Sequence, residues 1–224
     1  MLSFNENRDV DKIKSANLAI FDLDGTLVDS VYQILVALNY ARTECNLQRA
    51  TYQLLKKNLG LPFAQLNSDL SLDSIKFEKM KSLFREKLHE LIREDNLIYP
   101  GVLQLLPIIK DSGIRIAIAT SKPQSLADAV IQNSDLRIFV DFVQGTDNFD
   151  PKPNPEIIYR VLSHFQTNSA FMVGDRTEDI RAGQSASIHT VGLAQSSHSI
   201  NDLKLSGATL VCRDFLEFFE TWVS

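Results

Sequence analysis

Cysteine is scarce in this chain: two residues among 224, Cys45 and Cys212, far apart. That excludes a disulfide framework and any Cys-x-x-Cys metal site. The four histidines, His89, His164, His189 and His198, have no metal-ligand spacing and read as solvated or structural. Positive charge is not in excess. The net charge is −5, so general nucleic-acid binding is not expected, and an anionic ligand must be drawn in by local groups rather than the global field. No apolar run reaches the roughly 18 residues of a membrane span. Residues 1–16 are polar and charged without an apolar h-region, so they read as a loose polar leader rather than a signal peptide. A reducing, cytoplasmic setting is the simplest expectation. Also missing are Gly-x-x-x-x-Gly-Lys-Ser/Thr, Gly-x-Gly-x-x-Gly and Gly-x-Ser-x-Gly, which sets aside a phosphate loop, a dinucleotide fingerprint and a nucleophile elbow. There is no internal repeat and no low-complexity tract.

What is present is ordinary for a globular protein: 44% apolar and 23% charged residues, with enough length for one or two domains and a sizeable core. One stretch stands out, Phe21-Asp22-Leu23-Asp24-Gly25-Thr26-Leu27-Val28-Asp29. The apolar run before it predicts a buried strand from about Leu18 to Asp22. In extended chain, residues i and i+2 point to one side, so Asp22 and Asp24 can face one site. Gly25 permits a sharp turn directly after them. Two carboxylates this close repel each other, and a hard divalent cation such as Mg²⁺ is the usual remedy. A solvated acid pair at a strand end is the plainer alternative.

Further along, Asp29-Ser30 suits a helix cap ahead of Val31. From 30 to 96 the pattern is helical, with few β-branched runs, and predicts an insert of roughly four helices. Met80, Leu83, Phe84, Leu88 and Leu91 recur at three and four, one face of a helix. Gly60-Leu61-Pro62 reads as a turn. Tyr99-Pro100-Gly101 marks a change to alternating elements. Helices are expected at 102–110, 124–133, from Asn154-Pro155-Glu156, at 177–186 and at 215–222. Strands are expected at 114–120, 142–144, 170–173, 189–193 and 209–212. Such alternation predicts an α/β fold, a Rossmann-like parallel sheet covered on both faces. Residues 1–29 and 97–224 would form the α/β core domain and 30–96 a small inserted helical cap.

Ligands of open parallel sheets bind beyond the carboxyl ends of the strands, and the unusual polar residues fall there. One strand ends in Asp22-Leu23-Asp24, another in Thr120-Ser121-Lys122, a third in Gly174-Asp175-Arg176-Thr177-Glu178-Asp179, and Lys152 stands between two prolines. Asp175 and Asp179 share a face at a helix start and could complete an oxygen-ligand shell with Asp22. Asp179 also suits the helix N-terminus electrostatically. Thr120 and Ser121 offer hydroxyls and N–H groups to an anion, although both also suit a cap. Lys152 offers a positive charge on a backbone that its prolines restrict.

These residues carry a family resemblance. The chain resembles the haloacid dehalogenase superfamily, in its subgroup with a helical cap after the first motif and with phosphoglycolate phosphatase-like layout, over about 18–195. The motifs are Phe21–Ser30, Ile118-Ala119-Thr120-Ser121-Lys122, Lys152-Pro153-Asn154-Pro155 and Val173-Gly174-Asp175-Arg176-Thr177-Glu178-Asp179. The resemblance implies that Asp22 is a nucleophile forming an aspartyl-phosphate, and that Asp24 protonates the leaving oxygen and then activates water. It implies Mg²⁺ held by the Asp22 side chain, the Asp24 main-chain carbonyl and Asp175, with Asp179 steering a water of the metal. Thr120, Ser121 and Lys152 would bind the phosphoryl group.

The implied partner is a small phosphorylated metabolite, not nucleic acid or membrane, with the chain acting as monomer or homodimer. A phosphomutase similar to β-phosphoglucomutase and a catalytically silent binding protein are the alternatives. Ser121, where many relatives have Asn, and Arg176, where many have a small residue, depart from the pattern. Arg176 is read either as touching substrate or as a surface ion pair. In the cap, Leu59-Gly60-Leu61-Pro62 resembles the loop that reaches the active site in relatives, and Lys56 and Lys57 would meet a second anionic group or form an exposed face.

Overall fold

Alternation within Leu18-Ala19-Ile20-Phe21 produces the central strand, because both of its faces are covered. In the computed structural model, Leu18 and Ile20 pack with Ala117, Ala119, Met172 and Ile158 on one face. Ala19 and Phe21 pack with Ile116, Ile118, Phe171 and Phe215 on the other. The structure describes residues 4–58, 63, 67, 70–94, 96–196 and 198–224. In chain order its elements are α1 (Phe4–Lys14), β1 (Leu18–Phe21), α2 (Val31–Glu44), α3 (Tyr52–Asn58), α4 (Ser74–Glu94) and α5 (Val102–Asp111). There follow β2 (Arg115–Ala119), α6 (Gln124–Gln132), β3 (Phe142–Gln144), α7 (Glu156–Phe165), β4 (Ala170–Gly174) and α8 (Thr177–Ser185). The chain closes with β5 (His189–Leu193), α9 (Ile200–Leu205), β6 (Leu210–Cys212) and α10 (Phe215–Val223).

The six strands form one sheet in the order β3-β2-β1-β4-β5-β6, and every pairing is parallel. This is the expected Rossmann-like α/β sheet. After β3 the chain crosses over β2 and β1 to begin β4, so β1 lies where the strand order reverses, the place where open sheets leave a crevice. Phe21 is level with Ile118 on one side and Val173 on the other. Asp22, Thr120 and Asp175 follow directly, at the carboxyl ends of three neighbouring strands. The ladder continues one step past β1, where Asp22 N–H donates to the Val173 carbonyl at 2.9 Å.

The polar leader expected over residues 1–16 is corrected: α1 occupies 4–14. Val10, Ile13 and Ala16 are buried in the main core. Three apolar positions at intervals of three are a weak stripe among charged residues, so the segment reads as polar although one edge of it packs. α9 was likewise not signalled, because six residues are too short to show a helical period. Its Leu203 is buried, and Ser199 and Asp202 cap it reciprocally: Asp202 N–H donates to Ser199 Oγ, and Ser199 N–H to Asp202 Oδ2.

Over residues 30–96 the described residues contain α2, α3 and α4. α4 buries Met80, Phe84, Leu88 and Ile92, a stripe at every fourth residue, against Ile34, Ala37, Leu38 and Ala41 of α2. The expected turn at Gly60-Leu61-Pro62, the Leu59–Pro62 loop and the side chains of Lys56 and Lys57 lie outside the described residues. The chain leaves and re-enters the sheet side by side, for Val28 and Ile98 form an antiparallel bridge. Asp29 N–H donates to Leu97 O at 2.8 Å and Tyr99 N–H to Leu27 O at 3.0 Å. Among the described residues no helix is long and apolar enough to cross a membrane.

Candidate active site

A strand that ends on an acid leaves its carboxylate over the sheet edge, and here three strand ends meet. Asp22, Asp24, Thr120, Ser121, Lys152 and Asp179 line one cleft of about 350 Å³, together with Lys122, Arg176 and Glu178. Asp175 lies beneath, and its carboxylate groups with those of Asp22 and Asp179 within 4.8 Å. All three acids are buried. The structure therefore brings Asp22, Asp24, Thr120, Ser121, Lys152, Asp175 and Asp179 to one place.

The glycines flanking these acids are there because of close approach. A Cβ on Gly174 would run into the Asp179 carboxylate, and one on Gly25 would sit 2.8 Å from Asp175 Oδ2. Gly25 also has φ +87, a left-handed conformation that glycine adopts without strain. The turn it makes is closed by its own N–H donating to Val28 O at 2.9 Å.

Charge dominates the chemistry. Lys152 Nζ lies 2.6 Å from Asp22 Oδ1 and 2.5 Å from Asp179 Oδ1, and donates to Ala119 O at 2.9 Å. Burial opposes its charge, but Asp179 and Asp22 outweigh that and hold its pKa above the ordinary lysine value. Burial raises Asp22 to about 8; Lys152 pulls it down, while Asp179 and Asp175 push it further up. Burial, then Asp179, raises Asp175 to about 6 against hydrogen bonds from Ser196 and Thr26. A single lysine shared by two of three buried carboxylates leaves the group short of positive charge. An all-oxygen donor set in that condition fits a hard divalent cation. The Asp24 carboxylate stands apart from the three, paired with Lys122 at 3.0 Å.

Thr120 is buried, and its Oγ1 accepts from Lys122 N–H at 3.2 Å. With its lone pair engaged, the hydroxyl proton is left to donate toward an anion in the cleft. Asp179 meets the helix N-terminus as its position suggests, its Oδ2 accepting from Arg176 N–H at 3.0 Å at the start of α8, and its Oδ1 pairs with Lys152, a contact the sequence did not signal. Arg176 is not on the surface. It is 7% exposed, lines the cleft, and pairs with Glu178 at 3.2 Å, holding that carboxylate below its usual range against the opposing effect of burial.

Several supporting residues escaped sequence reasoning. Thr26 Oγ1 donates to Asp175 Oδ1 at 2.9 Å, and Ser196 Oγ bonds Asp175 Oδ2. Gln195 Nε2 donates to the carbonyls of Gly25 and Thr26, both at 2.8 Å, and its Oε1 accepts from Phe215 N–H. This ties the first turn to the start of α10. Contacts over some 170 residues leave no local pattern. Lys122 did leave one, since the Lys-Pro step at 122–123 repeats that at 152–153.

Comparison with known proteins gives concordant results. The family model for haloacid dehalogenase-like hydrolases matches residues 19–193. A probable phosphatase, IndB, of Dickeya dadantii is 29% identical over 89% of this chain and 90% of its own length. A phosphoglycolate phosphatase of Haemophilus influenzae is 27% identical over 88% and 94%. A solved haloacid dehalogenase-like hydrolase of Streptococcus pneumoniae superposes with a TM-score of 0.82 at 22% identity, covering 92% of this chain and 98% of that one, and so shares the fold.

Proposed function

Since the chain belongs to the haloacid dehalogenase-like hydrolases, we propose that it is a Mg²⁺-dependent phosphatase that hydrolyses a small phosphorylated metabolite through a phosphoryl group carried on Asp22. The observation that carries this reading is the separation of two neighbouring acids into two environments. Asp22 joins the carboxylate group and Lys152, whereas Asp24 has its own partner, Lys122. Relatives named as phosphatases support the reaction class.

In the first step an Asp22 oxygen forms a bond to phosphorus as the bond to the leaving oxygen breaks, and Asp24 gives that oxygen its proton. In the second step Asp24 takes a proton from water, the resulting hydroxide bonds to phosphorus, and the Asp22–phosphorus bond breaks. Lys152 and the Thr120 and Ser121 hydroxyls hold the phosphoryl oxygens, where developing charge is stabilised by groups already in position. Asp22, the Asp24 main-chain carbonyl and Asp175, with Asp179 alongside, would hold Mg²⁺, which would supply charge neutralisation at the phosphoryl group. Residues 30–96 act as a helical cap on a core made of 1–29 and 97–224. The paired linkers at Val28 and Ile98 form its hinge, and closure excludes water from the cleft.

The test is a screen of phosphorylated metabolites, phosphoglycolate included, with purified protein and Mg²⁺, reading released phosphate with and without chelator. Phosphate release that stops on chelation is expected. Asp22→Asn should lower turnover on the order of 10³-fold or more, and undiminished activity in that variant would sink the mechanism. Isomerised sugar phosphate in place of free phosphate would instead favour a phosphomutase.

A further inference from the structure

Two buried lysines reach the cleft, and the chemistry above gives a task only to Lys152. Lys122 is equally enclosed: its side chain is 4% exposed and that of its partner Asp24 9%, with Nζ 3.0 Å from Asp24 Oδ2. Its backbone is held from both sides. Lys122 N–H donates to Thr120 Oγ1 at 3.2 Å, and Lys122 O accepts from Thr146 N–H at 3.0 Å. Gly145 allows the chain to close over it, since a Cβ there would meet Lys122 O at 2.8 Å. Pro123 then restricts the lysine's own backbone. A flexible surface lysine has none of these restraints.

The other oxygen of the pair is equally informative. Asp24 Oδ1 is buried and has no hydrogen-bond partner among the described residues. A buried acceptor left unmade is costly, and Asp24 is part of the cleft lining, so the missing partner of this oxygen is one that substrate would bring. We propose that Lys122 is the positioning residue of the acid–base carboxylate, clamping Asp24 Oδ2 so that Oδ1 is the oxygen that exchanges a proton with the leaving group. The inference rests on the phosphatase reading. It adds a physical reason for a cation at this point: when Oδ1 gives its proton to the departing oxygen, a buried carboxylate appears, and an ammonium already stands beside it. Without that ammonium the new charge is uncompensated, a condition that buried carboxylates tolerate poorly.

A lysine that positions the acid has a different signature from one that merely attracts substrate. Proton donation matters most where the leaving group is poor. Wild type, Lys122→Met, Lys122→Arg, Asp24→Asn and the Lys122→Met/Asp24→Asn double variant are compared with Mg²⁺ on an alkyl phosphate and on dinitrophenyl phosphate. Lys122→Met is expected to lose at least about tenfold more kcat on the alkyl ester than on the activated one. Lys122→Arg should recover most of that ratio. In the Asp24→Asn background, Lys122→Met should change the ratio no further, the mark of two residues acting as one unit. Equal losses on both esters, a rise in KM alone, or full additivity with Asp24→Asn would overturn the proposal. If Lys122→Met does not fold, the charge-keeping Lys122→Arg and the neutral double variant decide it by the same ratios. A wild-type protein inactive on both esters removes the phosphatase reading and the inference with it.

Discussion

Lys152 Nζ lies 2.6 Å from Asp22 Oδ1, although 130 residues separate them in the chain. The lysine also contacts Asp179, so one cation offsets the repulsion of a buried acidic group. Removing one partner of a buried ion pair typically costs about 3–5 kcal/mol. Lys152→Met should therefore destabilise the metal-free protein on the order of 3 kcal/mol in urea unfolding. It should also lower turnover by about 10²-fold or more. Unchanged unfolding would show that the carboxylates do not need the lysine.

The raised carboxylates predict an unusual pH dependence of stability. Asp22 is pushed from 3.8 to about 8, by burial first, and Asp175 from 3.8 to about 6 for the same leading reason. A pKa higher in the folded state means that the folded state binds protons more tightly than the unfolded one. The contribution of these groups is thus fullest below the unfolded value near 3.8. It is lost as pH rises through about 6 for Asp175 and about 8 for Asp22. Without divalent cation, the Tm of the wild type should fall over that window more steeply than the Tm of Asp22→Asn. Identical slopes in a thermal melt series would contradict it. Mg²⁺ should flatten the wild-type slope, because a cation competes with protons for the same oxygens.

Gly174 is placed so that any Cβ would overlap the Asp179 carboxylate. Gly174→Ala should displace Asp179 from Lys152 and weaken the response to Mg²⁺ by roughly 10–100-fold, the range seen when supports of metal ligands are lost. A titration of Mg²⁺ followed by thermal shift checks this without reference to turnover. A wild-type midpoint in the variant would mean that Asp179 has no part in cation binding.

The helix at the start of the chain carries stability and lies away from the chemistry. Ile13 is 1% exposed within the main core, and truncating a buried isoleucine costs about 2–5 kcal/mol. Ile13→Ala should unfold at correspondingly lower urea while kcat per folded molecule stays at the wild-type value. A cost under about 1 kcal/mol would mean that α1 is dispensable to the core.

Legibility followed the range of each interaction. The strands from Leu18 to Cys212 were visible because a covered parallel strand is an apolar run in the sequence. Helix starts were legible only in part: of the pair Asp29-Ser30 expected to cap α2, Ser30 makes no side-chain cap hydrogen bond, and Val31 N–H donates to Asp29 Oδ1 instead. Where a helix start is made within a few residues of a suitable side chain it could be read. Asn154 Oδ1, for example, accepts from Glu156 N–H at 2.9 Å. α1 was hidden because Val10 and Ile13, with Ala16 just beyond it, meet the core from among mostly charged and polar neighbours. Arg176 could not be assigned from its neighbours in sequence, since its burial comes from the cleft around it.

By itself the sequence determined the parallel α/β sheet, the positions of the four polar clusters along it, and the residue types gathered at its edge. Periodicity and strand-end placement are local properties, and they suffice for that. Only the tertiary structure decided how the charges are shared: Lys152 between Asp22 and Asp179, Lys122 with Asp24, Arg176 with Glu178. Those pairings depend on distances of a few ångströms between segments remote in sequence. In a buried site such distances, rather than residue type, determine which carboxylate stays charged and which partner it keeps.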